Sequence, residues 1–262
     1  MSSDAGTHQG AVMAGGPDRP DWWSGVEGEI DGIVEGFSRR LEDKLTANFN
    51  PQAVLRRKNP YLFCLRKAEE ADRFAESILS AYLSSSEETI FGDLLEDCSI
   101  AVCHHARGGS KSTTEGIDLE YAGSEDQGRV IVQVKSSENW GNSGQRKRLE
   151  ENFRTASRIY RRGARQRVTC IEGICYGRAR IRDRGFFYTY VGPSFWQEIS
   201  GREETYLWLL EVIKRHAENG LRGSREQACR SIVDFLDEAK ISRDGKVNWE
   251  NLLRYVSTGA VD

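Results

Sequence analysis

No run in the 262 residues approaches the roughly 18 apolar residues of a membrane-spanning helix, so no bilayer-crossing segment is expected. The opening stretch, MSSDAGTHQGAVMAGGPDRPD, lacks the basic start and apolar centre of a secretory signal. Small, polar and glycine-rich, it reads as a disordered lead-in of about 20 residues. Internal repeats and long low-complexity linkers are absent, and so is any segment readable as a methyltransferase. Without a secretory signal, Cys64, Cys98, Cys103, Cys170, Cys175 and Cys229 are expected as reduced thiols of a cytoplasmic protein. Cys98, Cys103, His104 and His105 have residue types that suit zinc. Their spacing is wrong for a finger or ribbon, however, and no second cysteine pair lies nearby. Buried thiols beside a polar loop are the expected outcome.

Hydrophobic residues make up 38% of the chain and charged residues 29%, an ordinary composition for a globular protein. One domain over residues 21–262, following the lead-in at 1–20, can bury a sizeable core. The net charge of −3 does not by itself indicate a nucleic-acid binder. Its distribution does. Residues 142–184 hold thirteen basic and four acidic side chains, a net +9, which leaves −12 elsewhere. The bland reading is a solvated, salt-bridged surface. The near-absence of lysine and the excess of one sign favour contact with phosphates or bases.

Over residues 22–45, Trp23, Val26, Ile30, Ile33, Val34, Phe37, Leu41 and Leu45 recur at three- and four-residue steps and predict an amphipathic helix. Asn59-Pro60 interrupts any helix there. A second helix is expected at 67–83 and a third at 87–97, with Ser84–Ser86 supplying the cap between them. The period then changes. Residues 117–122 read as a strand, 123–128 as a turn, and 129–136 (RVIVQVKS) as a buried β-branched strand. A loop at 139–144 leads into a basic helix over 145–162. Strands follow at 167–176 and 186–191, with a turn around 182–185. From 195 onward the pattern is helical, at 195–218, 224–239 and 249–257. This order gives an α/β fold, a central sheet flanked by helices with further helices at both ends.

The most informative stretch is GIDLEYAGSEDQGRVIVQVKSS, residues 116–137. Asp118 lies on one strand. Gln133 and Lys135 sit two apart on the next and therefore face the same way. A hairpin would bring an acid, an amide oxygen and an ammonium to one sheet edge. Phosphodiester hydrolysis needs such a set, with oxygen ligands for Mg²⁺ and a lysine to orient water and offset transition-state charge. The competing reading is a strand-end lysine snorkelling out of the core. The hairpin alone leaves both open.

Asp118 followed by Gln133-Val134-Lys135 resembles the signature of the PD-(D/E)XK nucleases, and within them the type II restriction endonucleases. The ordered set Trp22-Trp23, Asn59-Pro60-Tyr61, FGDLLE at 91–96, ICYG at 174–177 and GPSFW at 192–196 is similar to one restriction-enzyme subgroup, and extends the resemblance over about 22–208. It implies a mixed central β-sheet flanked by helices, a catalytic core at about 87–195, and Asp118, Gln133 and Lys135 as site residues. It also implies Mg²⁺ as cofactor, with Mn²⁺ able to substitute. One departure matters: Gln133 stands where the family carries an acid. Glu96, at the end of the helix before the sheet, is the first candidate to restore the charge, and a solvated glutamate is its plain alternative. Glu120, alternating onto the face of Asp118, is the second candidate; Asp126, in the turn, ranks below both.

Asn139, Asn142, Ser143, Gln145, Arg146, Lys147 and Arg148 follow the catalytic strand and are candidate DNA contacts. Trp140 reads either as a stacking wedge or as a loop anchor. The leading expectation is a homodimer cutting palindromic double-stranded DNA, with a separate methyltransferase protecting the host. A structure-specific repair nuclease and a non-catalytic DNA-binding relative are the alternatives, the second because of Gln133.

Overall fold

Apolar spacing at residues 22–45 is realised as one helix, α1 (Asp21–Leu45), which buries Trp23, Val26, Ile30, Val34, Leu41 and Leu45. The computed structural model describes residues 19–47, 49–164, 167–216 and 221–260, with the backbone alone at 162–164. The expected lead-in, apart from Arg19 and Pro20, lies outside the described residues. Two short helices follow, α2 (Pro51–Arg56) and α3 (Pro60–Leu65). Asn59 does mark a boundary: its side chain accepts the Tyr61 N–H at 3.0 Å and caps the helix that Pro60 begins.

The expected break at Ser84–Ser86 does not occur. Residues 71–107 form one 37-residue helix, α4 (Ala71–Arg107). Leu79, Leu83, Ile90 and Leu94 carry the buried stripe through the serines. Ser85 Oγ donates back to the Ala81 carbonyl at 3.2 Å, and Thr89 Oγ1 to that of Ser85 at 3.3 Å. Hydroxyls satisfied within the helix do not cap a new one.

Beyond α4 come β1 (Ser110–Lys111), β2 (Leu119–Ala122), β3 (Arg129–Lys135), α5 (Ser143–Ala164), β4 (Val168–Ile174), β5 (Arg180–Asp183) and β6 (Tyr188–Val191). They form one six-stranded mixed sheet in the order β1-β2-β3-β4-β6-β5. The β3–β4 and β4–β6 pairs are parallel, and the others antiparallel. A parallel pair requires a crossover, and α5 makes it between β3 and β4. The short outer strands β1 and β5 were not expected.

After the sheet, the helix expected over 195–218, whose residues 217–218 lie outside the described ones, is two: α6 (Pro193–Ser200) and α7 (Thr205–His216). Gly201, in the left-handed region at φ +75°, closes the first. Then come α8 (Arg222–Glu238), a hairpin of β7 (Ser242–Arg243) and β8 (Lys246–Val247), and α9 (Trp249–Thr258).

Two apolar layers sandwich the sheet. Leu119, Tyr121, Val130, Val132, Val134 and Ile171 face α1, α4, α6 and α7. Ile131 and Cys170 face the other way, onto Leu149, Phe153 and Ala156 of α5. A further core gathers the second half of α1, the first half of α4, α8 and α9. The ICYG and GPSFW segments interlock beneath the sheet. Trp196 Nε1 donates to the Cys175 carbonyl at 2.8 Å. A Cβ on Gly192, whose φ is +56°, would stand 2.3 Å from the Gly177 carbonyl oxygen, so only glycine permits this approach. Trp22, Trp23 and Trp208 pack together with ring centroids 5.3–6.3 Å apart.

Candidate active site and its surroundings

Asp118 stands just ahead of β2, held by sheet hydrogen bonding on both sides. Its N–H donates to the Val132 carbonyl at 2.9 Å, and its carbonyl accepts the Ser112 N–H at 3.0 Å. Its carboxylate accepts the Val134 N–H at 2.6 Å. Val134 lies between Gln133 and Lys135, whose side chains project from the opposite face of β3. The hairpin thus brings Asp118, Gln133 and Lys135 to one end of the sheet.

Gln133, Lys135 and Glu96 line a cleft of about 640 Å³, together with Trp140 and Arg148. Gln133 Oε1 is buried there without a hydrogen-bond partner. An unsatisfied buried carbonyl is costly and calls for an explanation. Lys135 Nζ donates to the Val134 carbonyl at 2.8 Å and lies 5.2 Å from the centre of the Trp140 ring. Glu96 reaches the cleft from α4, and its Oε1 is 3.5 Å from Lys111 Nζ.

Burial pushes the Asp118 carboxyl above its ordinary value, against the pull of the Lys135 ammonium, the Val134 N–H and Lys111. Burial also raises Glu96, and the neighbouring charge of Asp118 raises it further, while Lys111 pulls it down. Two carboxyls that resist ionisation beside an orphaned amide oxygen form a site short of positive charge. A hard divalent cation fits this donor set of three oxygens. Among the described residues no three His, Cys, Asp or Glu side chains converge as a ready-made metal cage. Glu96 and Gln133 line the cleft, and Asp118 lies behind its wall, close enough for its charge to act on Glu96. Lys111, on the two-residue edge strand β1, is a neighbour of both acids that the sequence pattern does not reveal.

Glu120 is occupied elsewhere. Ser112 Oγ donates to its carboxylate at 3.1 Å, and Arg129 and Tyr160 also hold it. Burial would raise its carboxyl, but these partners outweigh that and the net shift is downward. Asp126 is exposed in the turn between β2 and β3. The cysteine–histidine group divides among separate partners: Cys98 and Cys103 are buried, burial pushing the Cys103 thiol up to about 12. His104 Nδ1 lies 2.9 Å from the Gly109 carbonyl, and His105 Nε2 lies 3.1 Å from Glu29.

The expected DNA-contact residues surround the start of α5, and several have internal work. Asn142 Oδ1 accepts the Gln145 N–H at 3.1 Å, while Gln145 Oε1 accepts the Asn142 N–H at 2.8 Å. This reciprocal pair is a capping box. Arg146 donates to the Glu138 carbonyl at 3.0 Å and packs 5.4 Å from the Trp140 ring centre. Asn139, Ser143, Lys147 and Arg148 are exposed. Trp140 anchors its loop, its Nε1 donating to the buried Glu172 at 2.8 Å.

The family model for type II restriction endonuclease EcoO109I matches residues 26–220, about three quarters of the chain. The chain belongs to this family. Membership makes it a DNA-cleaving hydrolase of a restriction system, and the mixed α/β architecture is compatible with a restriction-endonuclease-like fold. No match was found among curated proteins. Among the described residues no helix is long and apolar enough to cross a membrane.

Proposed function

We propose that the chain is a Mg²⁺-dependent type II restriction endonuclease of PD-(D/E)XK type, with its active site at the cleft of Asp118, Gln133, Lys135 and Glu96. The observation that carries this reading is the buried, unpartnered Gln133 Oε1 in the cleft that Glu96 lines, with the carboxyls of Glu96 and of nearby Asp118 both pushed up. Asp118, Gln133 and Glu96 would hold the ion, Glu96 supplying the charge that a glutamine lacks. Bound Mg²⁺, or Mn²⁺ in its place, supplies charge neutralisation at the scissile phosphate and acidifies water. The Val134 N–H fixes the orientation of Asp118. Lys135 orients the attacking water or donates to a phosphoryl oxygen as negative charge builds there. The water oxygen would bond to phosphorus as the bond to the 3′ oxygen breaks, the water giving up a proton to solvent and the 3′ oxygen taking one from it, which leaves a 5′-phosphate and a 3′-hydroxyl.

The substrate is double-stranded DNA with a palindromic site, read by a homodimer of this single domain over residues 21–262 in the cytoplasm. Asn139, Ser143, Lys147 and Arg148, exposed at the head of α5, supply phosphate and base contacts. Asn142, Gln145 and Arg146 shape that surface. A separate methyltransferase protects the host DNA.

Digestion of phage DNA with and without Mg²⁺, beside Lys135→Ala, tests the reading. Discrete metal-dependent fragments that vanish in the variant support it. Intact DNA with both Mg²⁺ and Mn²⁺ overturns it in favour of a non-catalytic DNA-binding relative.

A further inference from the structure

The geometry points to Glu172 as a positioning residue for the cleavage reaction, acting through Trp140 on Lys135 and on the loop that walls the cleft. The inference rests on the active site proposed above. Glu172 lies on β4 in register with Gln133 of β3 on one side and Thr189 of β6 on the other. It is 3% exposed. Both carboxylate oxygens are taken: Trp140 Nε1 donates to one at 2.8 Å, and Thr189 Oγ1 to the other at 2.6 Å. Arg184 Nε donates in turn to Thr189 Oγ1 at 3.3 Å, so the hydroxyl proton is turned towards Glu172. Glu172 is thus no spare metal ligand. It faces a second cavity of about 340 Å³, and Trp140, with Leu149, lines both that cavity and the cleft.

What Glu172 holds is the indole. Lys135 Nζ lies 5.2 Å from the Trp140 ring centre and the Arg146 guanidinium 5.4 Å from it. Either cation over the ring face gains from its quadrupole. Arg146 also ties down the Glu138 carbonyl, and Arg180 pairs with the Glu138 carboxylate. An indole that turned would therefore release Lys135 and the 136–142 loop together. A carboxylate buried against neutral donors is a poor way to fill a core, since an apolar side chain of similar size avoids its desolvation. Orienting a donor-only indole is a task an apolar side chain cannot perform.

The test compares Glu172→Gln, Trp140→Phe, their double variant and Thr189→Ser with the native chain. Two quantities are read: single-turnover cleavage of a pre-bound phage DNA fragment carrying a mapped cut site, and amide hydrogen exchange over residues 136–142 without DNA. Glu172→Gln offers one donor an amide N–H in place of an acceptor, and Trp140→Phe keeps a ring without its N–H. Each is expected to slow the cleavage step by about 10- to 100-fold with DNA affinity in Ca²⁺ unchanged. Each should also speed exchange over 136–142. The double variant should be no slower than either single, because both break one path. Thr189→Ser, which keeps the hydroxyl, should behave as the native chain.

Native-rate cleavage by Glu172→Gln or by Trp140→Phe, unchanged exchange over 136–142, or losses that multiply in the double variant overturns the inference. Lys135→Met, run in parallel, separates the two readings. If it cleaves normally, the role of Lys135 falls, and exchange alone decides whether Glu172 holds the loop. If it is inactive while Glu172→Gln is not, only the positioning role falls.

Discussion

The Asp118 carboxylate accepts the Val134 N–H at 2.6 Å, which fastens the acid just ahead of β2 to the residue between Gln133 and Lys135 on β3. An edge N–H that would otherwise seek a backbone carbonyl is satisfied by a side chain instead. The carboxylate gives up one oxygen to the backbone and gains a fixed orientation. Such a site is held in place by the sheet itself, and small changes of chemistry within it should be readable without collapse of the fold.

Lys135 is the first case. Its ammonium is tethered by the Val134 carbonyl and the Trp140 ring, neither of which holds the core together. Lys135→Ala is expected to lower the single-turnover cleavage rate by about 10²- to 10³-fold, the usual cost of removing one transition-state stabiliser. DNA affinity in Ca²⁺ should remain near that of the native chain. Equal losses in binding and in cleavage would make Lys135 a phosphate anchor and not part of the chemistry.

Asp118 links function to stability. Because burial raises its carboxyl in the folded chain, the native state holds that proton more tightly than the unfolded state does. The metal-free protein therefore loses stability from this group as pH rises through the native value and regains it as pH falls. Asp118→Asn keeps an acceptor for Val134 and removes the charge. At neutral pH without metal it should unfold at a higher temperature, by roughly 2–4 °C for about 1 kcal/mol. That advantage should shrink as the solution is acidified. Mg²⁺ should stabilise the native chain and leave the variant unmoved. A variant that melts below the native chain at neutral pH counts against a buried, destabilising charge.

Gln133→Glu restores the acid at the position where an amide oxygen is buried without a partner. A third carboxylate should lower the Mg²⁺ concentration for half-maximal cleavage by roughly tenfold, since ligand charge tunes affinity for hard cations. The same substitution should lower the melting temperature without metal, because three acids then repel one another. A half-saturation that does not move would mean that residue 133 does not face the ion.

The candidate site was legible because its residues are close in sequence. Asp118 immediately precedes β2, Gln133 and Lys135 lie on β3, a short turn joins the two strands, and period-two alternation fixes which side chains share a face. Glu172 was not legible as a neighbour of the candidate site, for a physical reason. Its proximity to Gln133 comes from lateral register across a parallel pair, with the whole of α5 between them. Lys111 escaped notice because a two-residue edge strand carries no alternation to read. Strand β5 (Arg180–Asp183) is mostly exposed and charged, so it lacked the apolar signal and passed for a turn. The β7–β8 hairpin did carry a signal. Asp244-Gly245 adopts positive φ at both positions, the conformation that a two-residue hairpin turn demands. Serine hydroxyls concealed the continuity of α4, since a helix start and a hydroxyl bonded back within a helix look alike in sequence.

Capping also decides which residues around α5 should answer to salt. Asn142 and Gln145 spend their side chains on each other, and Arg146 spends its guanidinium on the loop. Lys147 is exposed at the rim of the smaller cavity next to Trp140, with its ammonium free to meet a phosphate. Lys147→Ala should therefore weaken binding uniformly across DNA sequences and flatten the plot of log affinity against log salt by about 0.9, the contribution of one released counterion. Asn142→Ala should act differently. It removes a cap, with a cost of about 1 kcal/mol in stability and little change in salt slope. Fluorescence anisotropy of labelled duplexes over a salt series, beside thermal melts, separates the two. If Asn142→Ala shifts the slope and Lys147→Ala does not, the DNA lies over the helix cap and not along the basic face of α5.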